Sequence, residues 1–395
     1  MEDFLKQEKQ LFLQTYNRYS VDIACGEGVH LISKSGIRYL DFFSGLGVNV
    51  LGHSHPRIIE AIHKQSERFL HLSNYFITDI QLAFAADLLK YTGFSKTFLT
   101  NSGTEATEAA IKITRQMKGT GKKIFSLTNS FHGRTYGALS LTNRIKYKQA
   151  FEPLLTGIDK IKFNDCEDLN NKINENTAAL FIEFIQGESG INLVSKQFAE
   201  TIKDLKLKYD FMLVADCVQS GIGRTGKPFA FNYYNILPDI VIVAKSIGGG
   251  LPLGAVLCNE KYDNVFSYGS HGSTFGGNPL SCAAGLVVLD EVFNKGLMND
   301  VLKLGGYFFN ELENLKNTFP NKIKDVRGRG FMIGIEMSHE CKVIADNLRE
   351  RNILVNCTNN NVIRILPPFI SKKKDIDFFL YHFNDVLKKS NSNRK

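Results

Sequence analysis

Short runs of apolar, mostly β-branched residues alternate with longer amphipathic segments between about residues 95 and 260. This alternation is typical of βαβ units and predicts a largely parallel sheet, and the unbroken apolar runs predict strands that are buried on both faces. The predicted strands are TFLT (97–100), KKIFSL (122–127), AALFIEFI (178–185), FMLVAD (211–216), DIVIVA (239–244) and GAVLCN (254–259). A helix predicted between the first two strands turns one apolar face toward the sheet. The residues of that face are Ala106, Ala110, Ile113 and Met117.

The segment GGNPLSCAAGLVVLDEVF (276–293) predicts a helix that is capped by Asn278 and has Pro279 in its first turn. Beyond it, helical segments mix with short strands such as RGRGFMIGIEM and NVIRILPP, which predicts a smaller α+β domain. A chain of 395 residues also exceeds the ~250–300 at which single cores stop growing. The predicted units are an N-terminal segment that packs with the small domain (1–45), a large ligand-binding domain (46–295) and a C-terminal small domain (296–395).

Composition narrows the class of protein only a little, since 43% hydrophobic and 22% charged residues are ordinary for a globular chain. The net charge of +8 is spread out, without the basic stripe and interleaved aromatics expected for a nucleic-acid partner. No apolar run approaches the ~18 residues of a membrane span. Seven cysteines are scattered singly, without a C-x-x-C pair. We therefore expect reduced thiols, a cytoplasmic location and neither a nucleic-acid nor a membrane partner.

Ligands of an open α/β sheet bind beyond the carboxyl ends of the strands, where helix N-termini and loop backbone converge. The first of these strand ends is the segment TFLTNSGTEATEAA. Ser102 and Glu105 in this segment have the spacing of a capping box, and Gly103 leaves the backbone open to close approach by a ligand. The simpler interpretation is a well-started helix. Exposed N–H groups and the positive end of the helix dipole also favour a phosphate here, and both interpretations can hold together.

Four charged side chains follow apolar strands, namely Asp216, Glu183, Glu188 and Lys245. Taken singly, Asp216 is explained by a loop cap, Glu188 by hydration, and Lys245 by a snorkelling surface lysine. Burial would lower the pKa of Lys245 by up to ~3–5 units and make its amine a nucleophile toward carbonyls. The glycines at 248–250 would leave room for a bulky planar ligand. An aldehyde-binding lysine, a phosphate seat and a carboxylate facing a ring nitrogen together indicate pyridoxal phosphate.

The sequence resembles the class III, fold type I aminotransferases over nearly its whole length. The resemblance rests on the ordered motifs RYLDFFSGLGVNVLGHSHP, NSGTEA, SFHGRT, IEFIQGESG, LVADCVQSGIGRTG, VIVAKSIGGGLPLGA, GSTFGGNPL and IRILPP. It implies an α/β fold with a large, mostly parallel domain and a smaller α+β domain. The sequence departs from the usual pattern at Cys217, where glutamate is common, and at Phe184, where proline is common. Neither position carries a reacting group, so only fine substrate tuning is affected.

The same resemblance implies roles for residues that contact the cofactor. Lys245 resembles the Schiff-base lysine and proton carrier, and Asp216 resembles the residue that keeps the pyridinium nitrogen protonated. Gln219 would reach the phenolic oxygen, and Phe131 would stack on the ring. His132 lies among these residues without an evident chemical role, so we assign it a structural one.

The phosphate, by the same resemblance, would be held by Ser102, Gly103 and Thr104, together with a Thr274 contributed by the neighbouring subunit. An active site shared in this way implies a homodimer. Considered alone, Thr274 would be only a loop hydroxyl.

Four residues resemble those that bind the substrates in this family. Arg134 would clamp a substrate carboxylate with its planar guanidinium, and Ser273 would add a hydrogen bond. Glu188 and Arg364 resemble a switch pair, which is neutral while the amine donor is bound. Glu188 would move away when 2-oxoglutarate enters, so that Arg364 holds one carboxylate and Arg134 the other.

The resemblance therefore implies ping-pong transfer of a terminal amine to 2-oxoglutarate. The donors that fit are N-acetylornithine, succinyldiaminopimelate, succinylornithine, ornithine and 4-aminobutyrate. The stretches HLSNYF and GLGVNVLGHSHP favour N-acetylornithine, and with it a role in arginine biosynthesis.

Two other classes of protein remain to be weighed. GIGRTG (221–226) matches the dinucleotide pattern G-x-G-x-x-G and suggests an NAD-dependent dehydrogenase. In such enzymes the first glycine follows the strand at once and a helix begins within the motif, whereas here residues 216–220 intervene and GKPFAFNYYN follows. A non-catalytic binding protein on the same scaffold would be expected to lack Lys245, Asp216 or Arg134, and all three are present.

Overall fold

The computed structural model describes residues 2–389. Its helices are α1 (Glu2–Leu11), α2 (Ser44–Gly47), α3 (Pro56–Ser66), α4 (Asp79–Thr92), α5 (Gly103–Lys118), α6 (Tyr136–Leu141), α7 (Ile145–Lys148), α8 (Cys166–Lys172), α9 (Lys196–Lys208), α10 (Pro279–Leu289), α11 (Leu297–Thr318), α12 (Lys342–Arg349) and α13 (Lys373–Lys389). Its strands are β1 (Ile23–Glu27), β2 (His30–Ser33), β3 (Arg38–Asp41), β4 (Lys96–Thr100), β5 (Lys123–Leu127), β6 (Ile158–Ile161), β7 (Thr177–Ile182), β8 (Ile185–Gln186), β9 (Asn192–Leu193), β10 (Met212–Asp216), β11 (Ile240–Val243), β12 (Gly254–Cys258), β13 (Ile323–Arg329), β14 (Met332–Met337), β15 (Ile353–Leu354), β16 (Asn356–Thr358) and β17 (Val362–Ile365).

A seven-stranded sheet in the order β4-β12-β11-β10-β7-β5-β6 forms the centre of the large domain. The pairs from β11 to β6 are parallel, and β12 runs antiparallel to both β11 and β4. The predicted α/β class with a mostly parallel sheet is therefore confirmed. The predicted strand AALFIEFI is too long, because β7 ends at Ile182 and β8 then pairs with β9. The edge strand β6 was not predicted, since IDKI is not a continuous apolar run.

The inner strands of this sheet are buried on both faces, as their apolar runs predict. Residues of β10 alternate between two cores, with Leu213 and Ala215 in one and Met212 and Val214 in the other. Helix α5 covers the second core and contributes the predicted face, except at its end. There Met117 is 39% exposed, because it lies in the last turn of α5. Full burial of such aliphatic side chains contributes ~1.5–3 kcal/mol each, which makes these strands a rigid support for the loops that follow them.

Helix α10 leads out of the sheet domain and begins as predicted. The Asn278 side chain accepts a hydrogen bond from the backbone N–H of Leu280, 2.9 Å away, and Pro279 occupies the first turn. A π-helical turn (Asp290–Asn294) separates α10 from α11.

The C-terminal part of the chain contains an antiparallel sheet in the order β13-β14-β17-β16, together with α11, α12 and α13. A further sheet, β1-β2-β3-β15, joins the two ends of the chain, because Ile353 pairs in parallel with Leu40. The exact domain limits stay a prediction.

Two of the cysteines expected to be reduced form a disulfide, so that expectation is wrong for Cys341 and Cys357. Their Cα atoms lie 5.9 Å apart, and 16 residues separate them in sequence. The start of α12 and strand β16 meet only in the folded domain, which no local cysteine spacing could reveal. The other five cysteines are free. None of the helices within residues 2–389 is long and apolar enough to cross a membrane.

Candidate active site

A cavity of ≈ 440 Å³ opens at the carboxyl ends of the parallel strands. Nine predicted site residues line it: Ser102, Gly103, Thr104, Phe131, Arg134, Glu188, Asp216, Gln219 and Lys245. They come from loops after β4, β5, β7, β10 and β11, which meet because parallel strands end at the same edge of the sheet.

Lys245 is the second residue after β11 and lies at the start of a short 3-10 turn (Lys245–Gly248). Its backbone φ of 52° is unusual for a residue with a side chain and costs of order 1 kcal/mol, a kind of strain that clusters at functional sites. Burial lowers the pKa of the Lys245 ammonium, and the nearby charges of Glu188 and Asp216 only partly oppose this. The amine is thereby favoured as a nucleophile.

Of the three glycines that follow this lysine, only Gly250 lines the cavity. Gly249 has a φ of 60°, and a Cβ there would lie 2.8 Å from Cδ1 of Ile58. The interpretation that all of residues 248–250 make room for a ligand is therefore wrong. Gly249 instead allows the left-handed backbone conformation of the turn and its close packing against Ile58.

Asp216 is the last residue of β10 and is 6% exposed. One carboxylate oxygen accepts a hydrogen bond from the backbone N–H of Val218 (3.0 Å), and the other contacts Nδ1 of His132 at 2.8 Å. Burial alone would lower the pKa of His132, but the hydrogen bond and charge of Asp216 outweigh it and raise that pKa. A protonated or Nδ1–H imidazole thus holds the carboxylate in place. This contact gives the structural role that the sequence indicated for His132 a specific form, the positioning of Asp216.

Glu183 is a cavity residue to which the sequence interpretation gave no role. It is buried, lines the cavity and accepts backbone hydrogen bonds from Phe131 (2.9 Å) and Gly187 (3.3 Å). Burial raises the pKa of Glu183 to about 7, although the charge of His132 opposes this. Its place after an apolar strand marks Glu183 in the sequence together with Glu188, but only Glu188 was given a role from it.

The N-terminus of α5 faces the cavity with Ser102, Gly103 and Thr104. The hydroxyl of Ser102 accepts a hydrogen bond from the N–H of Glu105 at 3.3 Å, as a helix cap does. A Cβ at position 103 would lie 2.8 Å from Cγ2 of Val218, so glycine allows the helix start to approach the loop after β10. This sixteen-residue helix presents its positive end to an anion.

Arg134 lies exposed at the mouth of the cavity. Its guanidinium lies over the ring of Tyr147, 3.8 Å from the ring centre, and 5.5 Å from the ring centre of Phe131. Within residues 2–389, no carboxylate forms an ion pair with it. Its charge is therefore available to a substrate.

Arg364, on β17, is 1% exposed and forms an ion pair with Glu188 at 2.6 Å. Its Nη1 also donates to the carbonyl of Gly187 (3.1 Å) and to Oε1 of Gln219 (3.3 Å). Burial would raise the pKa of Glu188, but the charge and hydrogen bond of Arg364 lower it. Glu188 lines the cavity, whereas Arg364 does not line it and is buried in contact with Glu188.

Ser273 and Thr274 do not line the cavity of their own chain. The Ser273 hydroxyl accepts a hydrogen bond from Nδ2 of Asn101 at 3.2 Å, and Asn101 does line the cavity. Thr274 is exposed.

The GIGRTG segment forms turns that bury Arg224 completely. Its Nη1 donates to the carbonyls of Phe331 (3.2 Å) and Pro367 (2.5 Å), and burial lowers the pKa of Arg224 to about 9. The motif joins the large domain to the C-terminal sheet, and no helix opens within it. It lacks the geometry of a dinucleotide site.

The chain belongs to the class-III aminotransferases, whose family pattern it matches over residues 13–387. It is 42% identical to an acetylornithine aminotransferase of Methanocaldococcus jannaschii over 392 residues, covering 98% of each chain. It is 43% identical to the enzyme of the same name from Aquifex aeolicus, covering 95% of this chain and 99% of that one.

Among solved structures, the ornithine aminotransferase of Toxoplasma gondii superposes with a TM-score of 0.95 at 29% identity, covering 100% of this chain and 96% of that one. The acetylornithine aminotransferase of Elizabethkingia anophelis gives a TM-score of 0.88 at 32% identity, with coverage of 98% and 99%. The fold type I aminotransferase architecture is thereby confirmed.

Membership of this family implies pyridoxal phosphate as the cofactor. The residues fit it. The start of α5 offers N–H groups to a phosphate, the buried carboxylate of Asp216 suits a protonated ring nitrogen, and Lys245 has an amine of lowered pKa beside both.

Proposed function

We propose that the protein transfers the terminal amine of N-acetylornithine to 2-oxoglutarate in ping-pong order, giving acetylglutamate semialdehyde and glutamate, as a step of arginine biosynthesis. The observation that carries this proposal is the different state of two arginines at the site of Lys245. Arg134 lines the cavity and has no carboxylate partner among residues 2–389, whereas Arg364 is neutralised by Glu188, which lines the same cavity. Similarity to enzymes named acetylornithine aminotransferase over nearly the whole chain supports the choice of donor.

The cofactor supplies an aldehyde that accepts the amine and a ring that withdraws electrons from the reacting carbon. Lys245 would supply the amine that holds this aldehyde and would carry the proton to and from the reacting carbon. Asp216, held by His132, would keep the ring nitrogen protonated. The N-terminus of α5 would hold the phosphate, and Gln219 and Phe131 would orient the ring.

The two arginines explain how one site accepts two substrates of different charge. Arg134 binds the carboxylate of the donor, while the Glu188–Arg364 pair presents a neutral wall. When 2-oxoglutarate enters, Glu188 moves aside, Arg364 binds the carboxylate nearer the reacting carbon, and Arg134 binds the distal one.

We further propose a homodimer whose subunits complete each other's sites through Thr274, with Ser273 reaching the substrate. Large side chains close to Thr274 in sequence are exposed in the single chain, namely Tyr268 and Phe275, and Tyr75 is exposed as well. A partner subunit would cover such exposed apolar side chains. Sedimentation of the purified protein should give a dimer; a stable monomer with full activity would exclude the shared site. We also propose, from the composition and charge pattern of the sequence, a cytoplasmic location and no nucleic-acid or membrane partner.

The test is a panel of donors in single half-reactions. The purified enzyme should be yellow, lose its absorbance band on borohydride treatment, and lose it faster with N-acetylornithine than with ornithine, succinylornithine, succinyldiaminopimelate or 4-aminobutyrate. Faster reaction with another of these amines would overturn the choice of donor. A colourless protein that requires nicotinamide would overturn the whole assignment.

A further inference from the structure

A second residue holds the guanidinium of Arg364 from the side opposite Glu188. Asn356 lies on β16 directly across the antiparallel pair from Arg364. Its Oδ1 accepts hydrogen bonds from Nη2 (2.8 Å) and from Nε (3.2 Å) of the arginine. Because a guanidinium group can only donate, the amide must present its oxygen here.

We propose that Asn356 is a positioning residue for the acceptor substrate: it orients Arg364 without neutralising it, so that a substrate carboxylate can replace Glu188. This inference rests on the proposed function, in which Arg364 binds 2-oxoglutarate.

The two edges of the guanidinium have different partners. Nη1 donates a hydrogen bond to the carboxylate of Glu188, whereas Nε and Nη2 donate to the neutral amide of Asn356. When Glu188 withdraws, the remaining partners are uncharged oxygens, including the carbonyl of Gly187. They hold the plane of the group but leave its full positive charge for a carboxylate. A carboxylate at position 356 would instead neutralise Arg364 in both half-reactions.

The strand that carries Asn356 is anchored by the two residues that follow it. Thr358 donates a hydrogen bond to the backbone carbonyl of Glu188 (2.5 Å), and Cys357 is bonded to Cys341. The contact with Glu188 involves its backbone, so the Glu188 side chain can turn while β16 stays in place. Asn356 is therefore a fixed support and Glu188 a movable partner.

The test compares Asn356→Asp and Asn356→Ala with Asn359→Asp in the holoenzyme. Asn359 lies on the exposed turn of the same hairpin and provides the same change of charge outside the site. We expect Asn356→Asp to raise the KM for 2-oxoglutarate by ~10- to 100-fold, as for the loss of a charge-assisted carboxylate contact. Asn356→Ala should raise it by ~10-fold through loss of orientation, and the KM for the donor should stay unchanged in all three variants.

Binding of glutarate, a dicarboxylate that cannot react, is measured by calorimetry and should weaken by the same factors. Asn356→Asp should also restore the donor half-reaction that Glu188→Ala loses, because the new carboxylate neutralises Arg364. Equal effects on both substrates, unchanged glutarate binding in both Asn356 variants, or no restoration in the double variant would overturn the inference. Melting curves identify any variant that is merely unfolded, in which case Asn356→Ala carries the test.

Failure of the proposed function is distinguishable from failure of this inference. If the wild-type enzyme does not react with N-acetylornithine and 2-oxoglutarate, the proposed function is wrong. Glutarate binding would still show whether Asn356 governs the affinity of Arg364 for a carboxylate.

Discussion

Replacement of Glu188 by alanine tests the switch most directly. The change removes the only carboxylate that pairs with Arg364 among the residues described, and it leaves a guanidinium that is 1% exposed. Neutral oxygens of Gly187, Gln219 and Asn356 still contact the group, so its position is retained while its charge is uncompensated.

The magnitude follows from the burial of the pair. Breaking a buried ion pair by removing one partner costs about 3–5 kcal/mol. The side chain of Glu188 is 23% exposed, which places this pair at the lower end, about 3 kcal/mol. A donor that must bind against this bare charge should react about 100-fold more slowly, since 1.36 kcal/mol corresponds to a factor of ten. The 2-oxoglutarate half-reaction should change little, because its carboxylate supplies the missing charge.

The assay is stopped-flow absorbance of each half-reaction under single-turnover conditions. Asp385→Asn is the matched control, because it removes a carboxylate from partly buried pairs with Arg351 and Lys389, both at 3.0 Å, outside the site. It should leave both half-reactions unchanged. If Glu188→Ala slows the two half-reactions equally, or slows only the second, the reasoning from charge neutralisation is refuted.

Four further predictions concern other parts of the molecule. Lys245→Ala should keep the fold, as circular dichroism would report, and should abolish turnover; near-normal activity would refute its assignment. Arg134→Ala should raise the KM for both substrates by ~10- to 100-fold in steady-state assays, and an unchanged KM would exclude it as the carboxylate clamp. The pKa of Glu183 is about 7 in the folded protein, above its ordinary value of 4.5. Between pH 4.5 and pH 7 the folded state therefore binds a proton that the unfolded state has lost, and the free energy of unfolding falls as the pH rises through this range. This fall is on the order of 3 kcal/mol and is measured by urea unfolding at pH 5 and pH 8. The Glu183→Gln variant should not show it, and the same pH dependence in the variant and the wild type would contradict the raised pKa. Thiol titration of the denatured, unreduced protein should find five thiols, and reducing the bond between Cys341 and Cys357 should cost about 3 kcal/mol of stability; seven thiols would show that the bond is absent.

The sequence alone determined the elements whose formation depends on neighbouring residues. Apolar runs located six strands of the main sheet, and Asn278 before Pro279 located the start of α10. Lys245 and Asp216 could be identified because each charged residue follows directly on an apolar run. Ordered motifs along the whole chain then indicated the family, which the match over residues 13–387 shows.

Only the tertiary structure decided which distant groups touch. His132 and Asp216 are 84 residues apart, and Glu188 and Arg364 are 176 apart. Local patterns carry no information on such pairs, because strand order and register bring them together. The antiparallel insertion of β12, the disulfide of the small domain and the contact of Asn356 with Arg364 depend on the same long-range packing. The charges of the site can therefore be found in the sequence, whereas their neutral partners are set by how the strands pair.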